Sequence, residues 1–191
     1  MTDQRTVTNQ RTVAITQNIT VDGAVEMIGD WFDPRDQDGE LLAENHRQDE
    51  NCDAVLLGRQ TFTDFRSFWP EVSDDSTGIT DYLNQVDKFV VSSTLNEAGW
   101  QNSTILSGDL TAEVNRLKSQ PGKDIVVTGS ITLCHALLEA DLVDELRLFT
   151  YPVVQGRGRR LFPDDWPEHI LTRLDAKNFD NGVSYAAYRI G

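Results

Sequence analysis

The chain has 191 residues, about the size of one ordinary domain, and 39% of them are hydrophobic, which is enough to form a buried core. Its 31 acidic residues outnumber the 17 basic ones and give a formal net charge of -14, a field that repels nucleic-acid backbones and anionic lipid. The composition therefore excludes a wholly disordered chain and argues against binding to nucleic acid or to a membrane.

Residues 1–11 are polar and are predicted to form a flexible lead-in to a single domain over residues 12–191. The beginning of the sequence lacks the apolar run of a secretory signal. Cys52 and Cys134 are isolated and have no metal-ligand spacing, which argues against a disulfide framework or a zinc site. We therefore expect a cytoplasmic protein without a bound metal.

Short apolar runs alternate with helix-like patterns along the first two thirds of the chain. Strands are predicted near 13–19, 54–57, 89–91 and 125–127, and helix-like patterns near 41–51, 110–117 and 133–140. In the last two of these helices, apolar residues recur at i, i+4 and i+7, so that each helix presents one apolar stripe to a sheet. The alternation predicts parallel strands joined by crossover helices.

The pattern changes after Asp144. Residues 146–154 predict a long strand and residues 183–190 a terminal strand, with no amphipathic helix between them. Strands that follow one another without a crossover helix are typical of antiparallel pairing. The predicted fold class is therefore α/β, with a central, mixed, mostly parallel sheet that ends in antiparallel strands at the C-terminus.

Small and polar residues follow three of the predicted strands, at 58–61 (GRQT), 92–94 (SST) and 128–132 (TGSIT). In an open α/β sheet, ligands bind beyond the carboxyl ends of the strands, where helix amides favour phosphate. Glycine allows close approach of the backbone, hydroxyls donate to phosphate oxygens, and Arg59 offers a planar pair of donors. Each turn alone fits ordinary helix capping, but the ordered set favours a nucleotide site.

The same residues belong to a wider resemblance. The strings are ITQNITVDG at 15–23, LLGRQTF at 56–62, FVVSSTL at 89–95, IVVTGSITL at 125–133 and VDELRLFTYPVVQGRGRRLF at 143–162. In this order they resemble the dihydrofolate reductase-like superfamily, and most closely the reductase domain of the bacterial riboflavin-biosynthesis deaminase/reductase, over roughly residues 12–190. The resemblance implies a three-layer fold in which helices flank the central sheet.

The resemblance also implies NADPH as the cofactor. The residues expected to contact it are Gly58, Arg59 and Thr61 at the phosphates, Ser92, Ser93 and Thr94 at the adenosine 2′-phosphate, and Gly129, Ser130, Ile131, Thr132 and Leu133 at the pyrophosphate. A 2′-phosphate is bound well by a cation and hydroxyl donors. The GxGxxG fingerprint of a conventional Rossmann dehydrogenase is missing from the sequence. Ser130 stands where the family has the second glycine of a pair, so weakened cofactor binding is expected.

The substrate side offers fewer candidates. Asp38 is the expected catalytic residue, because a buried carboxyl could anchor the N–H groups of a heterocycle and assist protonation. Trp31 is a candidate to cover the substrate ring. Asp22 lies in the loop 18–23, which closes over the nicotinamide in related reductases, and is the second substrate-binding candidate, although Asp22 and Gly23 also have the residue types of a turn.

The sequence thus predicts an NADPH-dependent oxidoreductase that transfers hydride to a C=N or C=O bond of a small heterocyclic substrate, and it resembles 5-amino-6-(5-phosphoribosylamino)uracil reductase of riboflavin biosynthesis. The alternatives are a dihydrofolate reductase, for which no pterin-binding carboxylate stands at the expected spacing before residue 58, and a noncatalytic NADP-binding protein. The HxE and PCxxC motifs of zinc deaminases are missing, so a bifunctional role is not expected. The reductase domain it resembles is commonly dimeric, which favours a homodimer without fixing the oligomeric state.

Overall fold

Eight strands form one mixed sheet in a computed structural model that describes residues 10–35 and 39–191. The predicted catalytic residue Asp38 lies outside the described residues. The strands are β1 (Val13–Thr20), β2 (Cys52–Gly58), β3 (Asp87–Val91), β4 (Ser103–Leu106), β5 (Asp124–Val127), β6 (Glu145–Tyr151), β7 (Leu171–Asn178) and β8 (Ser184–Ile190). The helices are α1 (Gly39–Glu50), α2 (Arg59–Phe68), α3 (Ile79–Gln85), α4 (Leu110–Lys118) and α5 (Ile131–Glu139), and a 3-10 helix follows α2 at Trp69–Glu71.

The strand order is β4-β3-β2-β5-β1-β6-β8-β7. The first six strands in this order pair in parallel, and β8 is antiparallel to both of its neighbours. The prediction of a mostly parallel sheet with antiparallel strands at the C-terminus is therefore confirmed.

Alternation along the central strands explains the three layers. In β2, Ala54 and Leu56 belong to the core that is shared with α4 and α5, whereas Val55 and Leu57 belong to the core that is shared with α2 and α3. A strand that is buried on both faces needs a continuous apolar run, and residues 54–57 supply one. Full burial of a valine or leucine side chain in such a strand stabilises the fold by about 2 kcal/mol.

Two of the strands, β4 and β7, were not predicted from the sequence. The loop after β3 leads into β4 before α4 begins, and β7 precedes the terminal strand. Both are edge strands, and β7 is largely exposed, so neither shows the apolar run of a central strand. The long strand expected over residues 146–154 was too long at its C-terminal end, because β6 stops at Tyr151, immediately before Pro152.

The topology brings three strand ends together. β5 returns to lie between β1 and β2, and β6 then follows on the other side of β1. Such a reversal of strand order opens a crevice at the carboxyl ends of the neighbouring strands. None of the helices in the described part of the chain is both long enough and apolar enough to cross a bilayer.

Candidate cofactor and substrate cleft

A cleft of about 990 Å³ lies at the carboxyl ends of β1, β2 and β5. A second, smaller cavity of about 360 Å³ is lined by Ser92, Ser93, Thr94, Ser107, Gly108 and Arg59, with Val91 and Leu106; we call it the serine notch. Arg59 lines both cavities. The three polar turns that the sequence singled out therefore border one continuous region of the surface, and Arg59 marks the junction.

The turn before α5 has an unusual backbone. Gly129 and Ser130 both have left-handed conformations, with φ of +56° and +47°, and Ile131 then begins the helix. Residues 128–133 all line the cleft. The first amides of a helix have no intrahelical acceptor, and they carry the positive end of the helix dipole. This helix start is consequently suited to an anionic group in the cleft.

Ser130 joins two of the turns that are predicted to bind phosphate, and we call its two hydrogen bonds the Ser130 link. Its hydroxyl oxygen accepts from the Gly58 amide at 3.0 Å, and its own amide donates to Thr61 Oγ1 at 2.9 Å. A serine at the second position of the family's glycine pair therefore has a structural role. The Thr61 hydroxyl, which we expected against the cofactor phosphates, faces the Ser130 amide.

One hydrogen bond and one steric restriction fix the conformation of Gly129. Nε2 of the buried Gln17 donates to the Gly129 carbonyl oxygen at 2.6 Å. A Cβ at Gly129 would lie 2.9 Å from Thr61 Cγ2, closer than real Cβ atoms approach. Glycine is needed there both for its positive φ and for the space.

The serine notch combines one buried hydroxyl with exposed ones. Ser92 is buried, and its Oγ accepts from the amides of Thr94 and Leu95 at 3.2 and 3.0 Å, which closes a turn. Ser93 and Thr94 are exposed at the rim. Sequence reasoning missed Ser107 and Gly108, because they follow β4, a strand it did not predict.

The loop after β1 is held by Asp22. The Asp22 carboxylate accepts from the amides of Gln155 and Gly156 at 3.0 and 2.7 Å and from the Thr20 hydroxyl at 2.7 Å. These hydrogen bonds, with that from Thr20 the strongest, lower the pKa of Asp22 to about 2. Gly23 has a φ of +85°, as the predicted turn requires. The structure thus shows Asp22 fastening its loop to the connection after β6.

Trp31, in the segment after β1, contacts the same connection after β6. Its Nε1 donates to Gln155 Oε1 at 2.8 Å, and its ring packs against Tyr151 with centroids 5.2 Å apart. The neighbouring Phe32 and Pro34 line the cleft, whereas Trp31 is not among the lining residues. Phe32 is therefore the aromatic residue of this segment that the structure places at the cleft.

One part of the cleft is lined by residues of α1, β2, α2, the 3-10 helix and α3, and we call it the helical pocket. Asn45, Gln48 and Asp49 of α1 share one face of that helix and line the pocket. The other walls are Val55, Phe65, Trp69, Ile79, Tyr82 and Leu83. Burial raises the pKa of Asp49 to about 7, and only the nearby His46 opposes the shift.

Sequence reasoning missed Asp49. Leu41 and Glu44 are also buried on α1, and from Leu41 the helical repeat leads through positions 44–45 to 48–49. That spacing was the signal available for placing Asp49 on the inward side. Among the described residues, no group of three or more His, Cys, Asp or Glu side chains is arranged to hold a metal ion.

Comparison with known proteins identifies the family of this chain. The RibD C-terminal domain family matches residues 11–185. The uncharacterized Bacillus subtilis (strain 168) protein YyaP is 31% identical over 186 residues, which cover 94% of this chain and 95% of YyaP.

Two solved structures show the same fold. A candidate riboflavin biosynthesis protein from Shewanella sp. PV-4 has a TM-score of 0.71 at 19% identity, covering 94% of this chain and 99% of that one. Dihydrofolate reductase from Enterococcus faecalis, complexed with NADP(H) and RAB-propyl, has a TM-score of 0.62 at 14% identity, covering 95% of this chain and 98% of that one.

The fold is accordingly that of the dihydrofolate reductase-like proteins. Within that class, the chain belongs to the RibD C-terminal domain family.

Proposed function

We propose that the protein is an NADPH-dependent reductase that transfers hydride to a C=N or C=O bond of a small heterocyclic compound, a reaction of the type catalysed by 5-amino-6-(5-phosphoribosylamino)uracil reductase. The observation that carries the proposal is the position of Arg59, which lines both the main cleft and the serine notch. Membership of the RibD C-terminal domain family supports it, as does the likeness of the fold to a dihydrofolate reductase complexed with NADP(H).

The donors along the cleft fit a phosphorylated dinucleotide. The helix start at residues 129–133 would hold the pyrophosphate, and the turn at 58–61 would hold the phosphates near Arg59. The serine notch would hold the 2′-phosphate through Ser92, Ser93, Thr94 and Arg59, because a phosphate that carries about two negative charges is best bound by a guanidinium and hydroxyl donors.

NADPH, when bound, supplies the hydride and its two electrons. The protein's part is to align the acceptor and to deliver a proton: the hydride forms a C–H bond, the π bond breaks, and the nitrogen or oxygen takes the proton. Asp38 remains the predicted proton donor. Asp22 and Trp31 frame the loop beside the site, where Phe32 lines the cleft and remains available to contact a substrate ring.

Titration of the purified protein with NADPH and NADH tests the proposal. We expect NADPH to bind more tightly, and Arg59→Ala to weaken NADPH more than NADH because it removes a partner of the 2′-phosphate. Arg173→Ala, an exposed arginine of β7 away from the cleft, is the matched control and should change neither affinity. Equal loss for both dinucleotides would remove Arg59 from the 2′-phosphate site, and no binding of either to folded protein would refute the reductase.

A further inference from the structure

A buried carboxylate lies on the inner face of α1. Glu44 is 2% exposed, and Arg47 binds it through Nη2 at 2.6 Å from Oε1 and through Nε at 2.9 Å from Oε2. Lys177 of β7 also donates to Oε2 through Nζ. Although burial raises it, hydrogen bonds from Arg47, Lys177 and Gln48 lower the pKa of Glu44 overall, so the group is ionised at neutral pH. An ionised carboxylate can only accept hydrogen bonds.

This carboxylate orients the side-chain amide of Gln48, which is 6% exposed and lines the helical pocket. Gln48 Nε2 donates to Glu44 Oε1 at 3.0 Å, and Gln48 Oε1 accepts from Thr16 Oγ1 at 3.4 Å. Because Glu44 has no donor to offer, the nitrogen of the amide must face Glu44 and the oxygen must face Thr16. Each of these two amide atoms has the capacity for one further hydrogen bond.

Thr16 places this amide beside a turn that we assign to the cofactor. Strands β1 and β5 pair in parallel with Ile15 opposite Val127, so the next residues, Thr16 and Thr128, follow side by side. Neighbouring strands lie about 4.8 Å apart. Thr128 begins the turn that leads into α5.

The two chains stay together beyond this point, since Gln17 Nε2 donates to the Gly129 carbonyl oxygen at 2.6 Å. The residues of this region that line the cleft are Thr16, Gln17, Gln48, Thr128 and Gly129. The Gln48 amide therefore lies within reach of a ring that packs against a dinucleotide at residues 128–129.

The surroundings of the amide make its hydrogen bonds selective. The apolar side chains of Val55, Phe65 and Val126 line the same cleft. In an apolar site, a ligand without the matching group leaves the amide unpaired, and such a ligand is rejected. A side-chain amide offers an acceptor next to a donor, which complements a ring edge that carries an N–H next to a C=O.

Resting on the proposed function, we propose that Gln48 is a specificity-determining residue that binds a ring edge with adjacent N–H and C=O groups, and that Glu44 is the residue that positions it. Gln48 Oε1 would accept from the ring N–H, and Nε2 would donate to the ring carbonyl oxygen. The Thr16 hydroxyl supports Oε1 from the sheet. The hydride acceptor is then a heterocycle with a cyclic amide, which α1 orients relative to the cofactor.

Binding measurements with matched probes test the proposal without requiring turnover. The probes are 5,6-diaminouracil and its 1,3-dimethyl derivative, and pterin and 3-methylpterin, titrated calorimetrically into the protein with and without NADP⁺. We expect at least one N–H ring to bind about ten-fold or more tightly than its own N-methyl derivative. Gln48→Met keeps the length of the side chain, removes the amide and should bring this ratio close to one.

Glu44→Gln tests the positioning role. A glutamine at this position both donates and accepts, so the Gln48 amide is free to turn over, and the ratio should fall several-fold while binding of the N-methyl ring is unchanged. A purely structural role of Glu44 would weaken both rings alike. Gln48→Met leaves the ion pairs of Glu44 with Arg47 and Lys177 in place, so it decides the role of Gln48 even if Glu44→Gln does not fold.

Gln120→Met is the matched control, since it makes the same change at an exposed position after α4, away from the cleft, and should leave the ratio as it is. An unchanged ratio in Gln48→Met, N-methyl rings that bind as tightly as the N–H rings, or no binding of any probe would each overturn the proposal. Binding of NADP⁺ is measured separately on the same samples. Its failure would refute the proposed function, whereas the ratio between probes in the cofactor-free protein would still decide the role of Gln48.

Discussion

The amide of Ser130 donates a hydrogen bond to Thr61 Oγ1 at 2.9 Å, which joins the start of α5 to the first turn of α2. The Ser130 hydroxyl completes the link by accepting from the Gly58 amide at 3.0 Å. The two turns that we assign to the cofactor phosphates are therefore held as one unit before any ligand binds. A site fixed in advance spends less of its binding free energy on ordering its loops.

Thr61→Val tests this unit by removing the hydroxyl while keeping the methyl group beside Gly129. The Ser130 amide would lose its acceptor, so we expect the free energy of unfolding to fall by about 1–2 kcal/mol and NADPH affinity to fall with it. Thr63→Val is the control, because Thr63 lies on the same helix and its hydroxyl donates to the Arg59 carbonyl. Equal effects of the two substitutions in denaturant titrations would show that the contact between Thr61 and Ser130 has no special role.

Substitutions of Ser130 separate the hydrogen bond from the backbone strain. Ser130→Ala removes the acceptor of the Gly58 amide and leaves a non-glycine residue in the left-handed conformation. Ser130→Gly also removes this acceptor, but it relieves the cost of the left-handed backbone, which is about 1 kcal/mol. We expect the free energy of unfolding to decrease in the order wild type, Ser130→Gly, Ser130→Ala. Ser119→Ala removes an exposed hydroxyl that donates to the Arg116 carbonyl and serves as the control. A Ser130→Ala variant as stable as wild type would contradict the link.

The central fold was predictable because its signals are local. Residues 54–57 and 125–127 are short continuous apolar runs of the kind that a strand buried on both faces requires, and Leu133 and Leu137 repeat at the helical period. The edge strands β4 and β7 were not predictable in this way. The side chains of β7 are largely exposed and β4 is only four residues long, and both are strands because a neighbouring strand offers hydrogen bonds, which is a tertiary effect.

Asp49 gives a prediction about pH and stability. Its pKa is raised from an ordinary 3.8 to about 7, so between these values the folded state binds more protons than the unfolded state. Stability attributable to this residue therefore falls as pH rises through that window. We expect Asp49→Asn to be more stable than wild type at pH 8 by about 2 kcal/mol, with the difference vanishing near pH 4.

Thermal unfolding of Asp49→Asn across this pH range is the measurement, with Glu50→Gln as the control. If the difference in stability between Asp49→Asn and wild type does not change with pH, Asp49 has an ordinary pKa and is not desolvated in the helical pocket.

Asp22→Ala should loosen the loop that follows β1. The Asp22 carboxylate accepts from the amides of Gln155 and Gly156, and these two amides lose their acceptor in the variant. Hydrogen exchange at both amides should accelerate, while Asp30→Ala, at an exposed position further along the same loop, should leave them protected. In the wild type the contacts should persist on acidification until the pH approaches 2, where the carboxylate is protonated. Unchanged exchange in Asp22→Ala would contradict the structural role.

The site was predictable only in part. The three turns could be recognised because glycine, serine, threonine and arginine immediately after strands favour anion binding. The partners of Asp22 and Trp31 could not, since Gln155 lies more than a hundred residues along the chain and is brought near by the pairing of β1 with β6. Asp49 could not be distinguished from the many other acidic residues, since the helix on which it lies is otherwise polar. Its environment depends on Tyr82 and Cys52, which α3 and the sheet bring close to it.

A crystal structure of the protein with NADP⁺ tests the central claim most directly. We predict the 2′-phosphate in the serine notch, within hydrogen-bond distance of Arg59 and at least one hydroxyl of residues 92–94, and the pyrophosphate over the helix start at residues 129–132. A dinucleotide bound elsewhere, or a 2′-phosphate that points into solvent away from Arg59, would contradict the assignment of the cleft to NADPH.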